Sequence, residues 1–259
     1  MSEGLDGLAV VVTGATKGLG RETALLLAES GASVVGTGRD TADGASLESA
    51  AAETAGQVVF AAGDVREEAD VIAAVATCRE RFGRIDAMVA NAGVLGPEGP
   101  LHETSLEDWR VVNDVNLTGA FLCCREALRA FREQGGGGSI VTIGSILSLT
   151  ADPFISSYTA TKTGLLGLTK AIAVDYAAEG IRANAVLPGD METPMILDYF
   201  AGQPDPAAAR AEMEAAYPVK RLAHPREVAQ AVRFLVSPRS AYVTGTHILV
   251  DGGLTAKTY

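Results

Sequence analysis

Several features that mark whole classes of protein are scarce in this chain. Its 259 residues include only three cysteines and three histidines: Cys78, Cys123, Cys124, His102, His224 and His247. Three cysteines cannot all pair, and the two adjacent ones lie in an apolar stretch, so buried free thiols are expected rather than disulfides. The scattered histidines lack the spacing of metal ligands, and we predict no metal site.

Positive charge is scarce as well. Lysine and arginine together number 21 against 32 acidic residues, which gives a formal net charge of −11. Nucleic acids and anionic membranes both require a basic surface, so neither is expected as a partner. The first six residues (MSEGLD) are acidic, and the apolar stretch after them is only a few residues long. That start resembles neither a secretion signal nor a membrane span, and we predict a cytoplasmic protein.

No internal repeat, low-complexity tract or linker divides the chain. A glycine run at 135–138 looks like a boundary, but it lies between a predicted helix (117–133) and a predicted strand (139–143). A flexible helix-to-strand turn is therefore its expected role. Length alone would allow one large α/β domain or two small ones. We predict a single domain over residues 1–259.

Strand-like and helix-like segments alternate along the chain. The predicted strands are 8–12, 32–37, 58–62, 85–90, 139–143 and 181–187, and the predicted helices are 22–29, 46–54, 69–82, 117–133 and 158–178. Such alternation predicts an α/β fold with a doubly wound parallel sheet, the Rossmann fold, and right-handed crossovers. Ligands in this architecture bind beyond the carboxyl ends of the strands.

A glycine-rich turn follows the first predicted strand. The segment Thr13-Gly-Ala-Thr-Lys-Gly-Leu-Gly20 leads directly into a helix. Glycines let the backbone approach a pyrophosphate closely, and the free amides of an opening helix favour its negative charge. The glycine spacing differs from the general dinucleotide fingerprint, so the turn alone is weak evidence. Its candidate cofactor-binding residues are Gly14, Thr16, Lys17, Gly18, Leu19 and Gly20.

Tyr158 and Lys162 are four residues apart in a predicted helix, so both side chains lie on one helical face. A free tyrosine has a pKa of about 10, and a neighbouring cation lowers the pKa because it favours the phenolate. The pair is therefore a candidate proton donor. The same spacing also occurs by chance, as an aromatic ring packed over a lysine stem.

Further motifs follow in a fixed order. They are Asn91-Ala92-Gly93 after the fourth strand, Asn116, Ser145 thirteen residues before Tyr158, Pro188-Gly189, Val243-Thr244-Gly245 and Val250-Asp251-Gly252-Gly253. Together with the glycine turn, the chain resembles the short-chain dehydrogenase/reductase family from end to end. It looks like the branch that contains 3-oxoacyl-carrier-protein reductases and bacterial carbonyl reductases.

This resemblance implies an oxidoreductase that transfers a hydride between a nicotinamide and a carbonyl or secondary alcohol, a small-molecule substrate. Tyr158 would be the general acid or base, and Lys162 would lower its pKa and hold the ribose. Ser145 would hydrogen-bond the substrate oxygen, and Asn116 would hold a water that links Lys162 to solvent. The family pattern favours Asn116 over the nearby Asn113. Without the resemblance, the pattern would indicate only that Ser145 lies in a turn at the end of a strand. Asn116 would be a polar residue inside a helix whose side chain hydrogen-bonds to nearby groups.

The choice of nicotinamide depends on the end of the second strand. Relatives that use NAD commonly carry an acid where this chain has Gly38, and Arg39 follows it. Lys17 lies where NADP-preferring relatives often carry a second base. We therefore predict NADP, with NAD as the alternative. In that alternative Arg39 is a surface charge and Asp40 holds the ribose, although Asp40 could equally cap the next helix.

The remaining cofactor contacts also come from the resemblance. Asp64 and Val65 match the pair that contacts the adenine, although Asp64 could instead cap a helix that starts near residue 67. The other positions that match are Asn91, Ala92, Gly93, Tyr158, Lys162, Pro188, Gly189, Met191 and Thr193. Met191 departs from the usual branched aliphatic residue, which weakens that one assignment.

A substrate lid is predicted at about 190–217, because glycine and prolines interrupt its helical stretches. Ile196, Leu197, Tyr199 and Phe200 are candidates for one apolar wall of the pocket. The opposite wall is expected at Leu147, Asp152, Pro153 and Phe154.

The favoured function is an NADP-dependent carbonyl reductase or alcohol dehydrogenase. An NAD-dependent alcohol dehydrogenase that works oxidatively is the second hypothesis, and a non-catalytic dinucleotide sensor or scaffold is the third. An acyl-carrier-protein reductase would need a basic docking patch, for which Arg125, Arg129 and Arg132 are candidates, or they form a solvated helix face. The resemblance also implies a homotetramer paired through 117–133, 158–178 and 247–250.

Overall fold

Seven strands form one parallel sheet in the computed structural model, which describes residues 5–257. They are β1 (Ala9–Thr13), β2 (Ser33–Gly38), β3 (Gln57–Ala62), β4 (Ala87–Ala90), β5 (Gly138–Ile143), β6 (Ile181–Pro188) and β7 (His247–Val250). Their order is β3-β2-β1-β4-β5-β6-β7, and every neighbouring pair is parallel. The predicted doubly wound sheet is confirmed. The first four residues of the acidic N-terminus lie outside the described residues.

Nine helices connect the strands of the described chain. They are α1 (Gly18–Glu29), α2 (Thr41–Ala50), α3 (Glu68–Phe82), α4 (Leu106–Asn113), α5 (Ala120–Gln134), α6 (Ser156–Tyr176), α7 (Pro194–Ala201), α8 (Pro206–Ala216) and α9 (Pro225–Val236). Apolar residues of α3, α5 and α6 pack on one face of the sheet, and those of α1 and α9 pack on the other.

The position of β1 in the sheet explains why its sequence is a continuous apolar run. Ala9 and Val11 belong to the core on one face of the sheet, and Val10 and Val12 belong to the core on the other. Side chains alternate between the two faces of a strand, so a central strand that is covered on both faces needs apolar residues at every position. β1 pairs with β2 on one side and with β4 on the other, so its apolar run is that of a central strand.

The glycine run forms the predicted helix-to-strand turn. Helix α5 ends at Gln134 and β5 begins at Gly138. The three glycines between them have φ angles of 69°, 96° and 81°. Residues with a Cβ atom rarely adopt this left-handed region, so the turn requires glycine.

Two predicted helix starts were wrong. Helix α2 begins at Thr41, not at residue 46, because the Asp40 carboxylate accepts hydrogen bonds from the N–H groups of Ala42 and Asp43. Asp40 is therefore the N-cap of α2, as one of the two alternatives for it predicted. Helix α1 begins at Gly18, four residues before the predicted start, because its first turn is the glycine turn itself.

Helices α4 and α9 were not predicted. A capping box marks the start of α9, where the His224 side chain accepts from a backbone N–H and the Glu227 carboxylate accepts from the His224 N–H. His224 is an uncommon N-cap residue, which hid this signal. Helix α4 is only eight residues long and runs into a π-helical turn (Asp114–Gly119) before α5 begins.

The cysteines are buried and unpaired, as predicted. Burial raises the pKa of the Cys78 and Cys123 thiols to about 12 and raises that of Cys124 further. Such thiols stay protonated and unreactive at neutral pH. Within residues 5–257, no helix is long and apolar enough to cross a membrane, and no group of acidic, histidine and cysteine side chains could hold a metal ion.

Candidate active site

A cavity of about 690 Å³ lies at the carboxyl ends of the strands. Its wall contains all the predicted cofactor-binding residues: Gly14, Thr16, Lys17, Gly18, Leu19, Gly20, Arg39, Asp64, Val65, Asn91, Ala92, Gly93, Tyr158, Lys162, Pro188, Gly189, Met191 and Thr193. Ser145 lies on the same wall, and Asn116 does not. The topology therefore brings together residues that are more than 170 positions apart in the sequence.

The glycine turn is packed too tightly for larger residues. Gly14 and Gly18 have φ angles of 63° and 52°. A Cβ atom on Gly20 would lie 2.1 Å from the Gly14 carbonyl oxygen and 2.5 Å from Asn91 Nδ2. The three glycines therefore leave the backbone uncovered at their positions on the cavity wall, and this geometry fits the pyrophosphate of a dinucleotide.

Thr13 joins this turn to the end of β4, a role that the sequence did not predict. Its hydroxyl oxygen accepts hydrogen bonds from the N–H groups of Asn91 and Ala92, both at 3.1 Å. In return, Asn91 Nδ2 donates to the Thr13 carbonyl oxygen at 2.7 Å. The Thr-Gly and Asn-Ala-Gly motifs are therefore two halves of one hydrogen-bonded structure.

Tyr158, Lys162 and Ser145 meet on the next part of the wall. Tyr158 and Lys162 lie in the first two turns of α6, and Ser145 follows β5. Lys162 Nζ is 5.5 Å from the centroid of the Tyr158 ring and donates to the Ile143 carbonyl oxygen at 2.7 Å. The lysine is 4 % exposed, so its ammonium group lies against the phenol rather than in solvent.

The pKa of the Tyr158 phenol is raised to about 12, mainly because the side chain is buried. A hydrogen bond from Ser145 opposes this rise, and the negative charge of Asp190 adds to it. This direction is opposite to the depression predicted from Lys162. Burial also lowers the pKa of Lys162 to about 8, which weakens the lysine as a source of positive charge for the phenol.

Ser148 is a second positioning residue that was not predicted. Its hydroxyl accepts from the Ser145 N–H at 3.2 Å and donates to the Lys162 carbonyl oxygen at 2.7 Å. The Ser145 hydroxyl in turn accepts from the Leu147 N–H at 3.1 Å. Ser148 therefore ties the loop that carries Ser145 to the helix that carries Tyr158 and Lys162.

Asn116 lies one layer behind the cavity wall, in the π-helical turn. Its Oδ1 accepts from the Val94 N–H at 2.8 Å, and its Nδ2 donates to the Val94 carbonyl oxygen at 2.9 Å and to the Thr161 hydroxyl at 3.2 Å. These partners are distant in sequence, so Asn116 is not a locally satisfied helix residue. π-Helical turns often occur at functional sites, and this one places the amide between β4 and α6.

The end of the cavity formed by Lys17, Gly38, Arg39 and Asp64, where the family resemblance predicts the adenosine of the cofactor and which is called the adenosine end below, carries mixed charge. A Cβ atom on Gly38 would lie 2.9 Å from Thr16 Cγ2, so the strand end is closely packed. Lys17 Nζ forms an ion pair with Asp43 at 2.8 Å, whereas Arg39 has no ion pair among the described residues. Arg39 is therefore the available cation at this end of the cavity.

Asp64 lies on the cavity wall with part of its carboxylate already bonded. The carboxylate accepts from the backbone N–H of Arg66 at 3.0 Å and pairs with the Arg66 guanidinium at 2.6 Å. These contacts hold the pKa of Asp64 below its usual value. Glu67, not Asp64, is the residue that precedes α3, so the alternative in which Asp64 caps that helix was wrong.

The segment after β6 closes the cavity. A Cβ atom on Gly18 would lie 3.2 Å from Thr193 Cγ2, so this segment contacts the glycine turn. Met191 pairs with Ala223 through an isolated bridge. Asp190, which was not predicted, lies on the cavity wall and forms two hydrogen bonds with Tyr217.

The opposite end of the cavity, where the substrate is predicted and which is called the substrate end below, has residues of both predicted walls, with two exceptions. Leu147, Asp152, Pro153, Phe154, Ile196 and Tyr199 line the cavity. Leu197 and Phe200 do not: Leu197 is 48 % exposed, and Phe200 is buried in a cluster beneath the lid helices with Tyr217 and Leu222. α7 therefore presents Ile196 and Tyr199 to the cavity, and Phe200, on another side of the helix, packs on the core.

A cleft at the carboxyl ends of a doubly wound parallel sheet, floored by a glycine turn and a helix N-terminus, defines a dinucleotide-binding protein. The chain matches the family described as enoyl-(acyl carrier protein) reductase over residues 14–255. With the relatives below, this match shows that the chain belongs to the short-chain dehydrogenase/reductase family. It is therefore an oxidoreductase with a nicotinamide dinucleotide cofactor.

Its relatives are named for alcohols and ketones. The chain is 44 % identical over 257 residues to cis-4-hydroxycyclohexanecarboxylate dehydrogenase of Sinomonas cyclohexanicum, covering 99 % of this chain and 100 % of the relative. It is 38 % identical to cyclohexanol dehydrogenase of Acinetobacter sp. (strain SE19), covering 99 % and 98 %. The crystal structure of levodione reductase superposes with a TM-score of 0.94 at 36 % identity, covering 98 % of this chain and 100 % of that one.

Proposed function

We propose that the protein interconverts a cyclic secondary alcohol and its ketone, with Tyr158 as the general acid or base and NADP as the cofactor. The observation that carries this proposal is the meeting of Tyr158, Lys162 and Ser145 on the wall of one cavity. The relatives named for cyclohexane-ring alcohols support a ring as the substrate.

The nicotinamide, when bound, supplies or accepts the hydride. Ser145 orients the substrate oxygen toward Tyr158, which donates a proton to it in ketone reduction and accepts one in alcohol oxidation. Lys162 holds the ribose and contributes positive charge beside the phenol. Ser148 keeps the two catalytic segments in register. Asn116 acts as a positioning residue that connects Val94 to Thr161, behind the wall that carries Lys162.

Arg39 is the main support for NADP as the cofactor. It lies on the cavity wall at the end of β2, where no acid precedes it, and a guanidinium suits the planar recognition of a phosphate. Asp40 does not oppose this assignment, because its carboxylate already accepts two backbone N–H groups of α2.

One observation favours NAD as a second candidate. Lys17 pairs with Asp43, so its charge is compensated before any phosphate arrives. Its pKa is raised for the same reason, with the largest contribution from the hydrogen bond to Asp43. We therefore expect Asp43→Asn to increase the preference for NADPH, and Arg39→Leu to decrease it about tenfold. Steady-state kinetics with NADPH and NADH measure both ratios, and an unchanged ratio in Arg39→Leu contradicts the NADP proposal.

A carrier-protein substrate finds little support on the surface. The three arginines of the predicted basic patch each form an ion pair with a carboxylate: Arg125 with Glu68, Arg129 with Glu126 and Arg132 with Glu179. Their charge is locally compensated, so the patch would attract an acidic carrier only weakly.

The homotetramer is a proposal from family resemblance, and the cytoplasmic location stays a prediction. Phe121 on α5 and Val174 on α6 are 43 % and 81 % exposed, and β7 is the edge strand of the sheet. These surfaces are consistent with the faces through which relatives pair. Light scattering coupled to gel filtration would measure the mass directly.

The central experiment measures nicotinamide absorbance with cyclohexanol, cyclohexanone and 3-oxoacyl thioesters, using Tyr158→Phe as the control protein. Turnover of the ring compounds that falls at least about 100-fold in Tyr158→Phe, with dinucleotide affinity retained, supports the proposal. Turnover that survives in the variant contradicts the role of Tyr158. Dinucleotide binding without turnover of any substrate would instead favour a sensor or scaffold.

A further inference from the structure

Asp190 places a carboxylate at the substrate end of the cavity. It follows Pro188 and Gly189 at the end of β6 and lies on the cavity wall. Its negative charge acts on the Tyr158 phenol. Asp190 and Tyr158 line the same cavity, so a substrate bound there can contact both the phenol and the carboxylate.

Tyr217 holds Asp190 in place. The Tyr217 hydroxyl donates to Asp190 Oδ2 at 2.8 Å and accepts from the Asp190 N–H at 2.7 Å. The Asp190 carbonyl oxygen accepts from the Ala223 N–H at 3.1 Å. Tyr217 is 3 % exposed and belongs to the packed cluster under the lid helices. The backbone and the side chain of Asp190 are thus both held by hydrogen bonds, two of them to the buried Tyr217.

Only one oxygen of the Asp190 carboxylate accepts a hydrogen bond from a described residue. Oδ2 accepts from Tyr217, and no described residue donates a hydrogen bond or forms an ion pair with Oδ1. Burial raises the pKa of the Asp190 carboxyl, and the charge of Asp152 raises it further. A partly buried carboxylate with a free oxygen gains most from a ligand that donates a hydrogen bond.

The charges around Asp190 limit the ligands that it can take. The other ionisable side chains on the substrate walls are also acidic, namely Glu98 and Asp152. The cations on the cavity wall are Lys17 and Arg39 at the adenosine end and Lys162 beside Tyr158. A substrate with a carboxylate would therefore be repelled, whereas a neutral hydroxyl group can donate to Oδ1 without an unpaired charge.

We propose that Asp190 Oδ1 accepts a hydrogen bond from a second hydroxyl group of the substrate, so that the preferred substrate is a cyclic diol or hydroxyketone. The reacting oxygen lies at Tyr158 and Ser145, and the second hydroxyl lies at Asp190. This inference rests on the proposed function and narrows its substrate class. It separates the protein from relatives named for a hydroxy-carboxylate or for a ring with one hydroxyl.

The test compares kcat/KM for cyclohexanol, the cyclohexane-1,2-, 1,3- and 1,4-diols, and cis-4-hydroxycyclohexanecarboxylate. We expect at least one diol to exceed cyclohexanol by roughly 10- to 100-fold in the wild-type protein, since hydrogen bonds to charged acceptors give discrimination of this size. In Asp190→Asn and Asp190→Ala the diol-to-cyclohexanol ratio falls at least about tenfold. The carboxylate substrate gains relative to cyclohexanol in both variants.

Glu192→Gln is the matched control. Glu192 is two residues along the same segment, lies outside the cavity wall and pairs with Arg210, so its loss leaves the diol ratio unchanged. Two Asp190 variants are used because Ala removes the Tyr217 contact and Asn retains it, and thermal melts establish that each is folded.

Two results overturn the inference while the proposed function stands. One is turnover of cyclohexanol with no preference for any diol, and the other is a diol ratio that Asp190→Asn leaves unchanged. If no cyclic alcohol is turned over, the proposed function fails. Calorimetric titration of the protein–dinucleotide complex with the diols then tests the inference, because Asp190→Asn must still weaken the binding of the diols.

Discussion

The walls at the two ends of the cavity differ in composition: mainly backbone atoms at one end and side chains at the other. At the dinucleotide end, glycines and strand-end amides form the wall, and Thr13 and Asn91 bond to backbone atoms beside them. At the substrate end, side chains from separate segments form the wall, and the Asp190–Tyr217 pair joins residues 27 positions apart. Backbone walls tolerate few substitutions, whereas side-chain walls can be rebuilt one residue at a time.

Charge separates the two ends as well. At the adenosine end, Lys17 and Asp64 are each paired with an opposite charge and Arg39 forms no ion pair among the described residues, whereas Glu98, Asp152 and Asp190 lie on the wall at the substrate end. An anionic phosphate would therefore be attracted to the adenosine end, and the carboxylates at the substrate end would repel an anionic substrate but not a neutral one. Tyr158 and Lys162 lie between them, which places the proposed proton transfer at their junction.

The largest expected effect is at the dinucleotide end. Gly20→Ala would place a Cβ atom 2.1 Å from the Gly14 carbonyl oxygen, so the turn must shift. We expect a loss of about 2–3 kcal/mol in the free energy of unfolding and a dinucleotide affinity at least about 100-fold weaker. Urea denaturation and fluorescence titration with NADPH measure the two effects.

Gly167→Ala is the control for that substitution. Gly167 lies in α6, its φ is not positive, and no atom lies within 4 Å of the position that an added Cβ atom would take. Alanine there should stabilise the helix by about 0.5–1 kcal/mol and leave dinucleotide affinity unchanged. Equal effects of the two substitutions would contradict the tight packing of the turn.

The pH dependence of kcat/KM tests the role of Tyr158, which lies between the two ends of the cavity. The pKa of the Tyr158 phenol is raised to about 12, so the phenolate is the minor form at neutral pH and its fraction rises about tenfold per pH unit. Alcohol oxidation needs the phenolate and should accelerate from pH 7 to 10, whereas ketone reduction needs the phenol and should not accelerate. Measurements of kcat/KM in both directions, with dinucleotide affinity measured at each pH, give the profile. An oxidation rate that falls across this range would contradict the role of Tyr158.

A smaller effect is expected where the lid contacts the substrate end. Tyr217→Phe removes the hydroxyl that bonds to Asp190, leaving a half-buried carboxylate and an N–H group without that partner. We expect a cost of about 1–3 kcal/mol in unfolding free energy, with a raised KM for the alcohol. Dinucleotide affinity should stay constant, because Tyr217 lies outside the cavity wall. Tyr242→Phe, at a fully exposed tyrosine, is the control for calorimetric melts and kinetics. A dinucleotide affinity that falls with KM unchanged would contradict the separation of the two ends.

The smallest expected effect is at Phe154, on the rim of the substrate end. Its φ of 67° is unusual for a bulky residue, and the Gly99 N–H donates to its carbonyl oxygen at 2.8 Å. Phe154→Ala keeps the backbone strain and Phe154→Gly relieves it. Gly should therefore be more stable than Ala by about 1 kcal/mol in thermal melts. Because the side chain is 60 % exposed, both variants lose little packing. An Ala variant as stable as the Gly variant would show that the backbone is not strained.

Much of the site could be predicted because its motifs are local. The turn from Thr13 to Gly20, the Asn-Ala-Gly segment after β4 and the Tyr158–Lys162 spacing each constrain a few consecutive residues, and each reached the cavity wall. The start of α2 was misplaced because a short acid can either cap a helix or hold a ribose, and only the backbone around Asp40 distinguishes these roles.

Three other errors share one cause. Asp190 was missed because its partner Tyr217 lies beyond the two lid helices, and no local spacing connects the two residues. The predicted depression of the Tyr158 pKa was wrong in direction because burial, which depends on the whole fold, outweighs a neighbour four residues away. Phe200 was assigned to the wall because helical periodicity does not say which side of α7 meets the core.

The alternation of strands with most of the helices, the glycine turn and the spacing of the proton-transfer pair could all be read from the sequence, because each depends on preferences over a few consecutive residues. The direction of the Tyr158 pKa shift, the pairing of Lys17 with Asp43 and the free oxygen of Asp190 became visible in the folded chain. Those properties depend on burial and on charges brought together from distant segments, and electrostatic free energies change steeply with both.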